Sequence, residues 1–189
     1  MSYAFIRHGQ TDWNLNGRLQ GSSDIPLNDT GRAQAHEAAV RLSEQRWDVI
    51  VSSPLQRARE TAEIIAHDLG LELGPAYPGL VERDYGEVEG LSDAECRRRY
   101  PDRNYPGSES FAAVTARGRA ALDQIAAEYG NREVIIVSHG SIIRYTLESI
   151  VGRQLESISN GAMSRVERGI DGGAWRVLSV NGAALVLDN

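Results

Sequence analysis

The strongest strand signals in the chain are short apolar runs that end abruptly in polar or small residues. They lie at residues 3–6, 49–51 and 134–137. Continuous runs rich in β-branched residues are typical of strands buried on both faces, as in a parallel sheet covered by helices. Two later segments, 164–167 and 175–180, are predicted to form a hairpin around the turn Asp171-Gly172-Gly173.

Helical spacing of apolar residues appears between these strands, at residues 30–45, 54–69, 111–129 and 141–151. The third of these segments should bury one stripe. Its members are Phe111, Val114, Gly118, Leu122, Ile125 and Tyr129. Because strands alternate with helices, the chain is predicted to be an α/β protein. We expect a three-layer α/β/α sandwich with a mostly parallel central sheet.

One stretch interrupts the alternation. Residues 74–107 carry four prolines and are predicted to leave the sheet as a small cap-like excursion over the active site. Within it, Ser92 and Glu95 form a capping-box pattern that predicts the start of a short helix. The whole chain, 1–189, fits one domain of ordinary size.

Composition narrows the function classes. The chain is 41% hydrophobic and 24% charged, as in soluble globular proteins, and its net charge of −6 argues against nucleic acid or an anionic membrane as the main partner. A small anionic substrate is compatible, since its binding depends on local charge. The single Cys96 permits neither an intramolecular disulfide nor a thiolate metal cluster. Without an apolar run of membrane length, a cytoplasmic protein is expected.

Two of the predicted strands end in a histidine followed by a glycine, in Arg7-His8-Gly9 and in Ser138-His139-Gly140. Ligands of open parallel sheets bind beyond the carboxyl ends of the strands, so both imidazoles should face one crevice. The glycines, including Gly140, should let the backbone turn sharply and approach a ligand.

A third strand end leads into a helix that begins Ser53-Pro54-Leu55-Gln56-Arg57. Ser53 is predicted as the N-cap, with Pro54 at the first helical position and Gln56 completing a capping box. Arg57 then lies beside the positive end of the helix dipole, which costs about 0.3–1 kcal/mol unless an anion is bound nearby. This position favours an anion site, since helix N-termini bind phosphate and arginine can clamp it.

These residues suit phosphoryl transfer. A neutral imidazole is a nucleophile near pH 7, because its ordinary pKa is about 6.5. If His8 attacks a phosphomonoester, then Arg7, Arg57 and a protonated His139 could stabilise the developing charge. The leaving alkoxide needs a proton from a carboxyl group. Glu82 is the best local candidate, with Glu87 and Glu89 as rivals on spacing alone.

Three motifs together resemble the histidine phosphatase superfamily, also called phosphoglycerate-mutase-like. They are Arg-His-Gly-x-Thr-x-Trp-Asn from Arg7, Ser-Ser-Pro-Leu-x-Arg-Ala-x-x-Thr-Ala from Ser52, and Ser-His-Gly from Ser138. The resemblance runs from the first strand to at least Asn160 and covers most of the chain.

The resemblance assigns roles to individual residues. It implies that His8 becomes phosphorylated, that Arg7, Arg57 and His139 form the phosphate pocket, and that Glu82 is the proton donor. It also implies that Asn14, Gln20 and Gly21 line the pocket. No metal and no organic cofactor is expected in such a protein, and the expected ligand is a small phosphorylated metabolite.

The features around the proton-donor segment favour hydrolysis through a phosphohistidine over cofactor-dependent phosphoglycerate mutase activity. Mutases of the superfamily are typically longer after this segment, whereas here only residues 91–106 precede Gly107. Asp84 replaces the histidine of the mutase-type Glu-Arg-His-Tyr-Gly, and residues 86–90 resemble the phosphatase branch, although Val88 stands where tryptophan is frequent there.

Other hypotheses are weaker. A phospho-ligand binding protein without catalysis should have lost His8, His139 or the acid, and a metallohydrolase would need a carboxylate cluster of suitable spacing. Arg97, Arg98 and Arg99 could read an acidic part of the substrate, but a solvated helix face is the favoured interpretation. The edge of the late hairpin could support a homodimer.

Overall fold

The computed structural model describes residues 1–169 and 172–185. Within them, seven strands form one sheet in the order β3-β2-β4-β1-β5-β6-β7. The strands are β1 Ser2–Arg7, β2 Val49–Ser52, β3 Leu73–Ala76, β4 Val134–Ser138, β5 Met163–Arg168, β6 Trp175–Val180 and β7 Ala183–Ala184.

The sheet is mostly parallel, as predicted. Strands β1 to β4 are parallel to one another, β5 runs antiparallel to β1, and β6 turns back to the common direction. The predicted hairpin therefore exists as the β5–β6 pair, while Asp171 of its predicted turn lies outside the described residues.

Helices cover both faces of the sheet and complete the three predicted layers. They are α1 Asp12–Leu15, α2 Asp29–Leu42, α3 Gln56–Leu69, α4 Asp93–Arg99, α5 Phe111–Tyr129 and α6 Gly140–Val151. Alternate residues of the strands point to opposite faces: Phe5 and Ile136 pack with α5 and α6, whereas Ile6 and Ile135 pack with α2 and α3. This is why strands β1, β2 and β4 carry continuous apolar runs, at residues 3–6, 49–51 and 134–137.

Helices α2 and α3 begin or end at residues other than those predicted. Helix α2 begins after an Asn28 cap and ends at Leu42 rather than Gln45. Helix α3 begins at Gln56, two residues after the predicted start. The predicted stripe of α5 is buried from Val114 to Ile125, whereas Tyr129 at its end is half-buried and Phe111 at its start is 51% exposed.

The excursion from the sheet is shorter than predicted at its beginning. Gly74 to Ala76 belong to the edge strand β3, which pairs with β2, so the chain leaves the sheet only after Ala76. It then forms two single-turn 3₁₀ helices, Pro78–Leu80 and Gly86–Val88, and the helix α4. Ser92 and Glu95 form the predicted capping box of α4, with both reciprocal hydrogen bonds present.

Helices α5 and α6 touch closely at a glycine. A Cβ atom at Gly118 would lie 2.1 Å from Oγ1 of Thr146, which is itself buried. That separation is far below van der Waals contact, so only glycine allows this helix pair to approach and cover the sheet.

Gly118→Ala should therefore lower the free energy of unfolding by about 1–3 kcal/mol through overpacking, although alanine is the better helix former. Adding Thr146→Ala should restore part of the loss, measured as a coupling energy in urea denaturation. Gly173→Ala is the control, because its Cβ would meet only Gly169 at 3.9 Å. Additive effects of the two α5–α6 substitutions would contradict the proposed contact.

Candidate active site

Three adjacent strand ends build the site. In the sheet order β2-β4-β1, each strand is followed by one site residue: Ser53, His139 and His8, respectively. Backbone hydrogen bonds continue the strand pairing beyond the ends, with His8 N donating to Ser138 O at 3.0 Å and Ser53 N to Val137 O at 2.9 Å. The parallel register thus brings together side chains that lie far apart in sequence.

A cavity of about 240 Å³ opens at these strand ends. Eight of the nine sequence-predicted site residues line it, and His139 does not. The lining also includes residues from the excursion, from α6 and from the chain that follows α6. Its members are Arg7, His8, Asn14, Arg18, Leu19, Gln20, Gly21, Arg57, Glu82, Tyr85, Gly140, Ser141, Arg144, Ser157 and Ile158.

The ring of His8 is held in one orientation. Its Nδ1 lies 2.7 Å from the carbonyl oxygen of Gly9, which can only accept, so Nδ1 carries the proton and donates. The lone pair of Nε2 therefore remains at the cavity side, where it accepts a 3.3 Å hydrogen bond from Nε of Arg57. Burial, followed by the charges of Arg57 and Arg7, holds the pKa of His8 well below its usual value. The imidazole is neutral near pH 7.

Gly9 serves packing rather than the close approach to a ligand that its position suggested. A Cβ atom there would lie 2.1 Å from the carbonyl oxygen of Gly31, in the first turn of α2. The glycine therefore lets helix α2 pack directly against the backbone beside His8. Its N–H donates to Oγ1 of Thr61 on α3, which anchors the turn to a second helix.

Arg57 is fully buried in the first turn of α3, as predicted, but the cap of this helix differs from the expectation. Leu55 occupies the N-cap position without a side-chain hydrogen bond, and Ser53 bonds His139 instead. The guanidinium donates to the carbonyls of Gly21 and Ser23 at 2.8 and 2.7 Å, besides its contact with His8. Burial lowers the pKa of Arg57 to about 10, so it remains a cation near neutral pH.

His139 lies behind His8, with 5.1 Å between the ring centroids. It is fully buried, and its Nε2 forms a 2.7 Å hydrogen bond with Oγ of Ser53. Burial first, and then the charge of Arg57, holds the pKa of His139 well below its usual value. The ring is therefore neutral near pH 7 in this structure. A protonated His139 beside a phosphoryl group, which the sequence analysis predicts, stays a prediction.

Arg7 lies at the cavity wall with an unsatisfied donor. Its Nη1 donates to the carbonyl of Ile158 at 2.6 Å, while its buried Nε has no hydrogen-bond partner among the described residues. Gly140 leaves room for this guanidinium, because a Cβ there would lie 3.3 Å from the same Nε. A cation with a free buried donor beside His8 suits an anionic ligand.

Glu82 is the one candidate carboxylate that lines the cavity. The N–H groups of Ser141 and Ile142, at the start of α6, donate to its two oxygens at 3.0 and 3.1 Å. Glu89 instead accepts hydrogen bonds from the backbone of residues 22 and 23, and Glu87 is exposed. Of the three carboxylates that spacing alone left as candidates, only Glu82 therefore lies at the cavity.

The remaining predicted residues form the wall around His8. Oδ1 of Asn14 accepts hydrogen bonds from Thr11 N and from Asn160 Nδ2, and Asn160 also donates to the carbonyl of His8. Gln20 Oε1 accepts from Oγ1 of Thr11 at 2.7 Å. Because Asn14 uses its oxygen within the protein, its amide nitrogen can serve as a donor toward the cavity.

Sequence reasoning missed several lining residues, notably Ser141, Arg144 and Ser157. The hydroxyls of Tyr85 and Ser141 lie 2.6 Å apart and join the excursion to α6. No local pattern marks them, because their place depends on how the excursion folds over the sheet. Arg97, Arg98 and Arg99 do not line the cavity; Arg97 pairs with Asp93 on the surface of α4.

In residues 1–169 and 172–185, no three His, Cys, Asp or Glu side chains converge in a way that could hold a metal ion. Across the same residues, none of the helices has the length and apolar character needed to cross a bilayer.

Comparison with known proteins gives a consistent family. The sequence profile of the histidine phosphatase superfamily (branch 1) matches residues 3–182. The "Uncharacterized phosphatase PhoE" of Bacillus subtilis is 41% identical, over 93% of this chain and 92% of its own. "Phosphoglycerate mutase-like protein 4" of Arabidopsis thaliana is 35% identical, over 91% and 81%. A mycobacterial glucosyl-3-phosphoglycerate phosphatase superposes with a TM-score of 0.86 at 29% identity, over 96% and 99% of the two chains.

The two lowered histidine pKa values predict how stability depends on pH. Below about pH 6.5 the unfolded chain protonates these histidines and the folded protein does not, so stability is complete above that pH and is lost as pH falls. His139→Asn should lose less free energy of unfolding than the parent between pH 6.5 and pH 5 in urea denaturation. An unchanged slope in His139→Asn would contradict a neutral, buried imidazole.

Proposed function

Because this chain belongs to the histidine phosphatase superfamily (branch 1), we propose that it hydrolyses small phosphomonoesters through a phosphohistidine formed at His8. It is an enzyme of the phosphatase type found in this superfamily. The observation that carries the residue assignment is the neutral His8 ring, with its Nδ1 proton held by Gly9 and its Nε2 lone pair at the cavity beside Arg57.

In the first half-reaction, Nε2 of His8 attacks phosphorus as the bond to the ester oxygen breaks. Arg7 and Arg57 stabilise the charge on the equatorial oxygens, and the amide nitrogen of Asn14 supplies a further donor. The carboxyl group of Glu82 gives its proton to the leaving alkoxide, which departs as the alcohol. A phosphate dianion beside the two histidines raises the pKa of His139, so the protonated form becomes available when substrate binds.

In the second half-reaction, water attacks the phosphohistidine. Glu82, now ionised, removes a proton from that water, and the bond between phosphorus and Nε2 breaks. Inorganic phosphate leaves, and both His8 and Glu82 return to their starting protonation states. The same two residues therefore serve both steps, with Glu82 exchanging the role of acid for that of base.

Hydrolysis is favoured over mutase activity, which is the second candidate. The relative with 41% identity is named a phosphatase, whereas the Arabidopsis relative is named mutase-like. Asp84, where mutase-type segments carry histidine, accepts the N–H of Gly86 at 2.7 Å and its carbonyl accepts the N–H of Glu109. It therefore shapes a turn. A parallel assay for phosphate release and for isomerisation of phosphoglycerates distinguishes the two activities.

A small phosphorylated metabolite as ligand and a cytoplasmic location are part of the same proposal. A small phosphorylated metabolite fits a cavity of about 240 Å³ better than a nucleic acid would. A reducing cytoplasm suits the single, buried Cys96, whose pKa is raised by burial. The short strand β7 leaves part of β6 at a sheet edge, and a homodimer across that edge remains part of the proposal.

Replacing the nucleophile tests the proposal most directly. His8→Ala should abolish hydrolysis of p-nitrophenyl phosphate and remove the acid-labile, alkali-stable phosphate that the parent acquires during turnover. His36→Ala, at an exposed histidine of α2, is the control and should keep both. Substantial turnover by His8→Ala would exclude His8 as the nucleophile.

The acid is tested through the leaving group. Glu82→Gln should reduce the rate on alkyl phosphates by about 10²–10⁴-fold and have much less effect on p-nitrophenyl phosphate, whose phenolate leaves without a proton. Steady-state rates on the two substrate types give the comparison, with Glu87→Gln as the matched control. Equal losses on both would assign the proton to another group.

A further inference from the structure

We propose that Arg144 determines substrate specificity by binding a carboxylate, or a similar acidic group, on the leaving alcohol of the phosphomonoester. This inference rests on the proposed function, since it concerns the part of the substrate that leaves. None of the sequence motifs includes Arg144, and it lies outside the residues that act on phosphorus.

The position of Arg144 places it on the leaving-group side of the cavity. Helix α6 begins with Gly140, and the N–H groups of Ser141 and Ile142 hold the Glu82 carboxylate. Arg144 follows one turn later on the same helix and lines the same cavity. An alcohol that receives its proton from Glu82 therefore leaves beside Arg144.

The charges of the cavity leave one cation without a function. Its lining contains four arginines, at positions 7, 18, 57 and 144, and a single carboxylate, that of Glu82. A phosphate dianion balances two of these four positive charges, and Glu82 adds no charge at this stage because it carries the proton for the leaving alcohol. Arg18 is exposed and donates to the carbonyl of Gly90, so the charge of Arg144 is the one left unbalanced. The excess is local, because the chain as a whole carries a net charge of −6. The site is therefore complementary to a substrate with one more negative charge than phosphate supplies.

The contacts of Arg144 leave it available for such a group. Its Nη2 donates to the hydroxyl of Tyr145 at 2.7 Å, and its guanidinium lies 4.7 Å from the centre of that ring. Its buried Nε has no hydrogen-bond partner in the described part of the chain, as is also true of Nε of Arg7 in the phosphate region. Glu148 approaches that Nε only to 3.8 Å, beyond hydrogen-bond distance, so the pairing is weak.

Space continues beyond Arg144. A second cavity of about 470 Å³ shares this residue with the active-site cavity and is lined on one side by Phe111 and Tyr145, whose rings meet edge to face at 5.2 Å. Thr115 and Gln154 add polar groups. An acidic alcohol that carries a further substituent can therefore place its charge at Arg144 and its bulk in the second cavity.

The other arginines considered for binding an acidic group, residues 97–99, do not lie at the active-site cavity. These side chains are on α4, do not line the active-site cavity, and include one that already pairs with Asp93. Arg98 is exposed and provides a matched control for the loss of one arginine.

Two substrates of similar size isolate the acidic group: 3-phosphoglycerate carries a carboxylate, and glycerol 3-phosphate carries a hydroxymethyl group in the equivalent place. The parent enzyme should prefer 3-phosphoglycerate by about 10- to 100-fold in kcat/KM, the range expected for one charge-assisted hydrogen bond. Arg144→Ala and Arg144→Gln should reduce this ratio to near one, mainly by lowering kcat/KM for 3-phosphoglycerate. Arg98→Ala should keep the parental ratio and rates.

The ratio separates specificity from folding and from catalysis. A misfolded variant loses both substrates together, and Arg144→Gln, which keeps most of the side chain, limits that outcome. If the parent hydrolyses p-nitrophenyl phosphate but shows no preference between the two substrates, or if Arg144→Gln keeps the preference, the role of Arg144 is wrong and the proposed function stands. If the parent hydrolyses none of the three, the proposed function itself fails.

Discussion

The contact between the buried guanidinium of Arg57 and the imidazole of His8 is the interaction on which the site depends. A fully buried cation is costly unless its hydrogen bonds are made, and here the donors reach His8 and the carbonyls of Gly21 and Ser23. This one side chain thus adds to the effect of burial in keeping the His8 ring neutral, donates to its Nε2, and holds the loop that forms the cavity wall. The positive end of α3 adds to the cost, since the described first turn carries no acidic residue.

The same loop is held from its other side by the excursion. Glu89 of the excursion accepts hydrogen bonds from the N–H groups of Ser22 and Ser23 at 2.8 and 2.9 Å. The excursion and the loop at residues 21–23 are therefore joined. Glu82, from the same segment, is fixed by the start of α6. The excursion therefore positions the acid and stabilises the wall opposite it, which links its fold to both chemical steps.

The two ends of the cavity differ in how tightly their side chains are held. Around His8, the imidazole and the Arg57 guanidinium are fixed by hydrogen bonds, and the buried Nε of Arg7 remains as a free donor for an anion. Around Arg144 the contacts are looser and a larger space adjoins. A rigid phosphate-binding region next to a less constrained leaving-group region is consistent with a family whose members carry both phosphatase and mutase-like names.

The sequence by itself determined the layered fold, the strand ends that carry His8 and His139, and the place of Arg57 in a helix's first turn. These follow from local periodicity and from the geometry of parallel sheets. Spacing left Glu82, Glu87 and Glu89 open as the acid, and the family resemblance named Glu82. Only the tertiary structure decided that Ser53 bonds His139 instead of capping α3 and that Arg144 adjoins the cavity. The reason is that each of these contacts joins residues from separate elements, and an irregular segment acquires its position only when it packs against the finished sheet and helices.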